Sequence, residues 1–332
     1  QGGIDLDCHT FVHPYDALTQ TATLAAAADS NGHGTHVAGT VAQCTNNGIV
    51  GAGVAPEADL MPIKVVSTPE FGEEGTVTAA NLADGIIWAI AHDADVLNMS
   101  LGFTCVGPTV WPDCSSLIVD DAIAAASSAG ALLVAAAGND GGPLAYPANH
   151  PDVLAVGALN RDLSRAFYSS TGGMLSLMAP GGDVSAGGEG GVWQETVQNG
   201  VWGIYSFEGT SMASPHVAGA AAVLRSAVPS ATSDAIRQAM LCTSSDRGPV
   251  GFDTGNGFGA LQVRAAAEAL AAGAQTETEI CRTMASVGLV DPGLGLWRLR
   301  GAAGGEVGFY FGNPGDVPVV GDWDCDGIET PG

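Results

Sequence analysis

The sequence predicts an α/β fold in which a parallel sheet carries helices on both faces. Short apolar runs that end at glycine or polar residues, such as 96–99 and 131–139, are typical of buried strands. Between them lie longer segments whose apolar residues recur every three or four positions, as in amphipathic helices. Strands that alternate with helices pair in parallel, and both faces of the sheet are then covered. In such sheets functional side chains lie at the carboxyl ends of the strands.

The helices and strands are expected in a definite order. A helix opens at His33 and is followed by a strand that the chain approaches through Ala55-Pro56. Apolar residues at helical spacing between 82 and 90 predict a helix that leads into the strand at 96–99. The remaining elements are a helix near 118–126, the strand that ends at Asn139, a strand at 153–156, an irregular glycine-rich stretch, a helix from Ser211 and a final helix near 232–241.

The run GTSMASPHVAG at 209–219 places Ser211 between small residues at the start of a helix. A serine hydroxyl is a poor nucleophile unless a general base within hydrogen-bond reach accepts its proton. The run NGHGTHVAGT supplies His33 as that base, and the flanking Gly32 and Gly34 leave room for backbone and substrate. A helix N-terminus favours the negative charge that develops on an attacked carbonyl oxygen. Ser211 is therefore predicted as a nucleophile and His33 as its base.

A third run, ALLVAAAGNDGG, presents Asn139 at the carboxyl end of a buried strand. With His33, Asn139 and Ser211 in this order, the chain resembles the subtilases, the subtilisin-like serine proteases, over about residues 1–272. The resemblance implies a subtilisin-like fold and the hydrolysis of peptide bonds through an acyl-enzyme. It assigns the side-chain amide of Asn139 as the second donor to the oxyanion, beside the N–H of Ser211.

The resemblance also implies a primary specificity pocket. One wall would be formed by Ser100, Leu101 and Gly102 and the other by Ala136, Ala137 and Gly138, with Ala145 near the floor. Because Ala145 is not acidic, the substrate residue before the cut is predicted to be apolar or aromatic. His36 and His216 belong to the same motifs and are interpreted as helix residues that pack near the site.

The third member of a subtilase triad is an aspartate in an Asp-(Ser/Thr)-Gly turn that precedes the histidine. No such turn occurs in this sequence. Gly2-Gly3-Ile4 could align with the end of that turn, or Gln1-Gly2-Gly3 with the strand that follows it, and both alignments place the aspartate outside this chain. We favour the second, so the domain is expected to lack its first strand. Asp5 and Asp7 are interpreted as surface residues, because no glycine turn aims them at His33.

The composition is typical of a secreted enzyme. Lys+Arg 10 against Asp+Glu 35 gives a net charge of -25, which would repel phosphate backbones and anionic membranes. Nucleic acid and membrane insertion are therefore not expected, and the expected partners are protein or peptide substrates. Seven cysteines indicate an oxidising, extracellular compartment. The expected disulfides are Cys105 with Cys114, Cys242 with Cys281 and Cys8 with Cys44, which leaves Cys325 over.

Calcium is the expected structural cofactor, and none is expected for catalysis. Near the carboxyl end, Asp322, Asp324 and Asp326 occupy the first, third and fifth positions of an Asp-x-Asp-x-Asp-Gly loop, as in calcium sites. With its aromatic alternation and turns, this region looks like one partial repeat of a calcium-binding β-propeller or similar extracellular module. The run CTNNGIVGAG resembles a calcium loop of the family, in which Asn47 is the expected contributor.

The sequence predicts three segments of the chain and leaves two alternative functions. Residues 1–272 are the predicted peptidase domain, 273–287 a polar linker and 288–332 a partial β repeat. The favoured function is a secreted serine endopeptidase. The alternative is a non-catalytic subtilase-fold binding module that lacks the triad aspartate.

Overall fold

The computed structural model of the chain describes residue 6, residues 8–67, 75–103, 115–186 and 188–272, and the backbone of five short strands beyond residue 286. Several sequence predictions fall on residues outside these ranges. They concern Asp5, Asp7, Cys105, Cys114, Cys281, Cys325, Asp322, Asp324 and Asp326.

Helices and strands alternate along the chain. The first half contains β1 (Tyr15–Asp16), α1 (His33–Ala42), β2 (Ile63–Lys64), β3 (Val66–Ser67), β4 (Thr76–Val77), α2 (Ala79–Ala91), β5 (Val96–Met99) and α3 (Leu117–Ser128). The second half contains β6 (Leu132–Ala136), β7 (Val153–Leu159), β8 (Leu175–Pro180), β9 (Val192–Gln198), β10 (Val201–Phe207), α4 (Thr210–Ala227), α5 (Ser233–Cys242) and α6 (Val263–Ala271). The five short strands are β11 (Val287–Asp291), β12 (Leu296–Arg300), β13 (Glu306–Tyr310), β14 (Val320–Gly321) and β15 (Thr330–Pro331).

Strands β5, β6, β7 and β8 form a parallel sheet in that order. All five residues of β6 are buried. Since successive side chains of a strand point to opposite sides, both faces of the sheet are covered at this strand. Leu132 and Val134 pack with the core beneath α4, α5 and α6, whereas Leu133 and Ala135 pack with the core beneath α2 and α3. Helices thus cover both faces of the sheet, and the predicted α/β fold is confirmed.

Most elements lie where the sequence placed them. Strand β5 has the predicted bounds, and helix α5 begins after Thr232, whose hydroxyl accepts a hydrogen bond from the N–H of Ala235 (3.1 Å). Two predictions were wrong. Helix α6 follows the helix that was expected to be the last. The stretch between β7 and α4, expected to be irregular, contains strand β8 and an antiparallel hairpin of β9 and β10.

The β9–β10 hairpin turns at Asn199 and Gly200, whose φ angles are 53° and 72°. Positive φ at both central residues is the requirement of a type I′ turn, and Asn-Gly meets it at low cost. Strand β10 ends three residues before α4 begins, and the hairpin lies against α1. The hairpin therefore packs against the helix that carries the motif histidine and leads into the helix that carries the motif serine.

The strands beyond residue 286 pair in an antiparallel manner. Strands β11, β12 and β13 form one sheet, and β14 pairs with β15. This agrees with the expected β-rich carboxyl-terminal fragment, while the division into domain, linker and propeller-like repeat stays a prediction. Among the helices in the described ranges, none combines the length and apolar character needed to cross a bilayer.

Cys8 and Cys44 form a disulfide across 36 positions of sequence. The loop that it closes contains the whole of α1, including His33. Cys242 is also disulfide-bonded. Its predicted partner Cys281 lies outside the described residues, so this pairing stays a prediction.

Candidate active site

Ser211 is the second residue of α4, behind the N-cap residue Gly209. Gly209 has a φ of 145° and donates its N–H to the carbonyl of Gly181 (3.0 Å), which fixes the approach of the chain to the helix. The hydroxyl of Ser100, just after β5, donates to the carbonyl of Ser211 (2.8 Å). The start of the serine helix is thereby attached to the carboxyl end of a sheet strand.

The side-chain oxygen of Asn139 accepts two hydrogen bonds from Thr210, the first residue of α4. One comes from the backbone N–H (2.9 Å) and one from the hydroxyl (2.8 Å). The Thr210 hydroxyl in turn accepts the N–H of Gly138 (3.1 Å). These contacts leave the amide nitrogen of Asn139 as the free donor end of its side chain.

Two nitrogen atoms that can donate hydrogen bonds lie close to Gly209. A Cβ atom placed on Gly209 would lie 3.4 Å from Nδ2 of Asn139 and 3.6 Å from the backbone nitrogen of Ser211. Glycine keeps this space clear of a side chain. Both nitrogens carry N–H groups, and a pair of neighbouring N–H donors is the arrangement that can stabilise an oxyanion.

His33 is the first residue of α1 and is half-buried. Burial lowers the pKa of His33 below its ordinary value, and the negative charge of Asp29 opposes this effect. The imidazole is therefore neutral at pH 7, as a proton acceptor must be.

Asp29 is a site residue that the sequence interpretation missed. Its carboxylate accepts the N–H groups of Asn31 and Gly32 (both 2.9 Å) and both the N–H and the hydroxyl of Thr35 (both 2.8 Å). Burial alone would raise the pKa of Asp29, but the hydrogen bonds from Gly32, Thr35 and Asn31 bring it below the usual value. The sequence signal was an aspartate followed by Ser-Asn-Gly just before the histidine, which is typical of a carboxylate that caps a turn.

Helices α1 and α4 pack side by side, which brings the histidine and serine motifs together. A Cβ atom on Gly219 would lie 3.4 Å from the carbonyl oxygen of Val41, so small residues permit the close approach. In this structure the hydroxyl of Ser211 donates to the carbonyl of Ser100 (3.4 Å) and not to His33. A hydrogen bond between nucleophile and base often becomes short and aligned only when substrate binds.

The other two motif histidines pack within the protein. His36 is completely buried, its Nε2 bonds the carbonyl of Val192 (3.0 Å), and its ring stacks on Phe207 at a centroid distance of 4.4 Å. Burial lowers the pKa of His36 to about 4. Nδ1 of His216 bonds the carbonyl of Met212 one turn earlier in α4 (2.8 Å).

The residues predicted to form the specificity pocket lie around Ala145. A Cβ atom on Gly102 would lie 2.9 Å from the Cβ of Ala145, and one on Gly138 would lie 3.3 Å from it. Ala145 also donates its N–H to the carbonyl of Ala137 (2.8 Å). Both predicted walls thus contact the same small apolar residue.

Asn47, the residue expected to contribute to a calcium loop, lies in a turn that is held by hydrogen bonds. The side-chain oxygen of Asn47 accepts the N–H of Ile49 (3.0 Å), and the carbonyl of Val50 accepts the side-chain amide of Gln43 (2.9 Å). The first of these bonds is that of an asparagine turn, so calcium at Asn47 stays a prediction. A compact group of Cys8, His9 and Cys44 also lies within the described part, but its sulfur atoms are joined in the disulfide and are not thiolate ligands.

Comparison with known proteins gives a consistent result. The model of the subtilase family matches residues 7–259. Subtilisin E of Bacillus subtilis strain 168 is 39% identical over 245 residues, a match that covers 72% of this chain and 57% of subtilisin E. The subtilisin of Bacillus pumilus is 39% identical over 245 residues, which cover 72% of this chain and 78% of that protein.

Similarity extends to the solved structure of a protease from Pseudoalteromonas arctica PAMC 21717, which has 37% sequence identity and a TM-score of 0.60. The similarity covers 71% of this chain and 70% of the other. This chain spans a little over half the length of subtilisin E.

Proposed function

The chain belongs to the subtilase family, and on that premise we propose that it is a serine endopeptidase. His33 accepts the proton of Ser211 while the serine oxygen attacks the carbonyl carbon of a peptide bond. The C–N bond then breaks, His33 gives the proton to the leaving amine, and the acyl group stays on Ser211. A water molecule, deprotonated in the same way, releases the acid product.

The observation that carries this proposal is the pair of N–H donors beside Gly209. Oxyanion stabilisation requires donors that are oriented before the reaction begins. The double hydrogen bond from Thr210 holds the Asn139 amide, and the helix geometry of α4 holds the N–H of Ser211. The helix dipole adds a favourable field for negative charge at the same end.

The surroundings of Ala145 favour an apolar or aromatic residue before the cut. Ala145 is buried, carries no charge and lies between glycines that keep the cleft free of side chains. Desolvation of a charged substrate group in such a place would be unfavourable without a partner of opposite charge.

The triad also needs a carboxylate that orients His33, and we propose that this aspartate belongs to a first strand that is not part of this sequence. Among the described strands β5 pairs only with β6, so its other edge has no strand partner. An apolar cavity of about 170 Å³ separates that edge from Met61, Ile63 and Val65. Within the described part, the buried Oδ1 of Asn98 on β5 has no donor. A further parallel strand beside β5 would complete this edge of the sheet.

The setting of the enzyme is part of the proposal. The Cys8–Cys44 disulfide and the net charge of -25 support secretion into an oxidising medium. Protein or peptide substrates are the proposed partners. We retain calcium as a structural ion of the Asp322, Asp324 and Asp326 loop, in keeping with a propeller-like repeat.

The competing function is a binding module that keeps the fold without catalysis. Cleavage of a chromogenic peptide with phenylalanine before the scissile bond separates the two. The comparison includes this chain, a form extended at its N-terminus and Ser211→Ala in the extended form. Activity that is present in the extended form and absent in Ser211→Ala supports the peptidase. A folded extended form that is inactive supports the binding module.

A further inference from the structure

Gly32, the residue before His33, is held on three sides. Its N–H donates to the carboxylate of Asp29 (2.9 Å). Its carbonyl accepts the N–H of His36 (3.0 Å) and also the hydroxyl of Thr196 on β9. These bonds come from the loop before α1, from α1 itself and from a hairpin about 160 residues further along the chain.

The hairpin also closes the remaining side of Gly32. A Cβ atom at this position would overlap the carbonyl oxygen of Val197, so no other residue fits without a shift of the backbone. The φ of Gly32 is 95°, a conformation that glycine adopts far more readily than other residues. Strand β9 therefore determines where the chain enters α1.

Thr196 is well placed to transmit this constraint. Its side chain is completely buried, so water does not compete for the hydrogen bond that its hydroxyl donates to Gly32. The next inward residue, Gln194, lies against Gly39, which is about two turns beyond Gly32. A Cβ atom on Gly39 would be 3.2 Å from Oε1 of Gln194. His36 stacks on Phe207 at the other end of the hairpin.

The same hairpin continues directly into the serine helix. After Phe207 only Glu208 and Gly209 precede α4, and the carboxylate of Glu208 accepts the N–H of Val184 (2.5 Å). One hairpin thus contacts the start of α1 and is covalently joined to the start of α4. Its position sets the relative placement of the two helix ends.

We propose that Thr196 is a positioning residue for His33, and that the β9–β10 hairpin acts through it to place the imidazole relative to the start of α4. This inference rests on the proposed peptidase function. Thr196 does not touch the reacting atoms; it acts by fixing Gly32 and hence the first turn of α1. Misplacement of a catalytic group by about 1 Å can reduce the rate by roughly 100-fold.

The test compares Thr196→Val, Thr196→Ser and Thr243→Val in the N-terminally extended form. Valine keeps the shape of threonine and removes the hydroxyl, whereas serine keeps the hydroxyl. Thr243 offers a matched control, because it is also buried and donates to a backbone carbonyl, that of Ala239 (2.7 Å), at the end of α5. If Thr196→Val does not fold, Thr196→Ala replaces it under the same criteria.

We expect Thr196→Val to lower kcat by roughly 10- to 100-fold with KM within about twofold. The pH profile of kcat/KM should shift at the same time, because the surroundings of His33 change. Thr196→Ser should restore most of the activity. Equal kcat values for Thr196→Val and Thr243→Val would overturn the inference.

A second readout does not depend on turnover. The ring-nitrogen chemical shifts of His33, measured by NMR, report its tautomer and its titration. We expect both to change in Thr196→Val and to remain as in the parent in Thr243→Val. If the parent does not cleave peptides, the peptidase proposal fails, and unchanged His33 signals in Thr196→Val would separately overturn the role of Thr196 in placing the ring.

Discussion

The side-chain oxygen of Asn139 accepts both the backbone N–H and the hydroxyl of Thr210, at 2.9 and 2.8 Å. Thr210 stands immediately before Ser211, so the residue that orients the amide belongs to the helix that carries the proposed nucleophile. The two donors of the proposed oxyanion site are therefore coupled to each other by one threonine.

We expect Asn139→Leu to lower kcat by about 10²- to 10³-fold with little change in KM, a magnitude known for such a donor from a subtilisin. Thr210→Val, which removes one of the two bonds that orient the amide, should lower kcat by roughly 10-fold. Thr210→Ser keeps the hydroxyl and serves as the control. Steady-state kinetics with the phenylalanine peptide measure all three, and a change confined to KM would contradict the assigned role.

Substitution of Ala145 should change the substrate preference. A carboxylate at this buried position, between Gly102 and Gly138, would attract a cationic side chain and disfavour an apolar one. We expect Ala145→Asp to raise kcat/KM for lysine over phenylalanine by at least about 10-fold relative to the parent. Ala145→Asn is the uncharged control. A ratio that is the same in all three proteins would show that Ala145 does not line the pocket.

The stability of the domain should depend on the protonation of His36. Its pKa is about 4 in the folded chain and 6.5 in its ordinary state, so the unfolded chain binds the proton more tightly. Between these two pH values the free energy of unfolding must therefore fall as the pH falls. The full effect is on the order of 3 kcal/mol.

Denaturant unfolding at several pH values between 7 and 3.5 measures this dependence. His36→Gln removes the titrating group, so the slope of the free energy of unfolding against pH should be smaller in the variant. His33 and His216, whose pKa values burial also lowers, act in the same direction and are present in both proteins. Parallel slopes would contradict a low pKa for His36.

Removal of the Cys8–Cys44 disulfide should destabilise the chain. The bond joins residues 36 positions apart, and loop-closure entropy of this size is equivalent to about 3–4 kcal/mol. We expect the double variant Cys8→Ala, Cys44→Ala to lose free energy of unfolding of this order. The parent measured after reduction is the comparison, and equal stability of oxidised and reduced parent would contradict the prediction.

The sequence was most informative where local pattern and packing agree. Strand β5 and helix α5 were predictable because their apolar spacing and capping residue are local signals. The β9–β10 hairpin could also have been predicted. Asn199-Gly200 stands between two runs rich in β-branched and aromatic residues, which is a strong signal for a hairpin turn. The glycine-rich segment before it obscured that signal.

Individual hydrogen bonds between residues far apart in the sequence could not be predicted, although the Cys8–Cys44 disulfide was. The bond from Thr196 to Gly32 and those from Thr210 to Asn139 depend on how α1, the hairpin and α4 pack. A buried threonine in a strand gives the same sequence pattern whether its hydroxyl bonds a neighbour in the sheet or a distant loop. The serine, histidine and asparagine motifs were readable because each sits in a local glycine-rich setting.

The central claim is that Ser211 is a nucleophile activated by His33. Its most direct test is covalent labelling by a fluorophosphonate, followed by peptide mapping of the extended form, His33→Ala, Ser211→Ala and the exposed control Ser185→Ala. We predict labelling at Ser211 in the extended form and in Ser185→Ala, at least about 100-fold slower labelling in His33→Ala, and none at this peptide in Ser211→Ala. Labelling that proceeds at the same rate without His33, or no labelling of the folded extended form, would contradict the account.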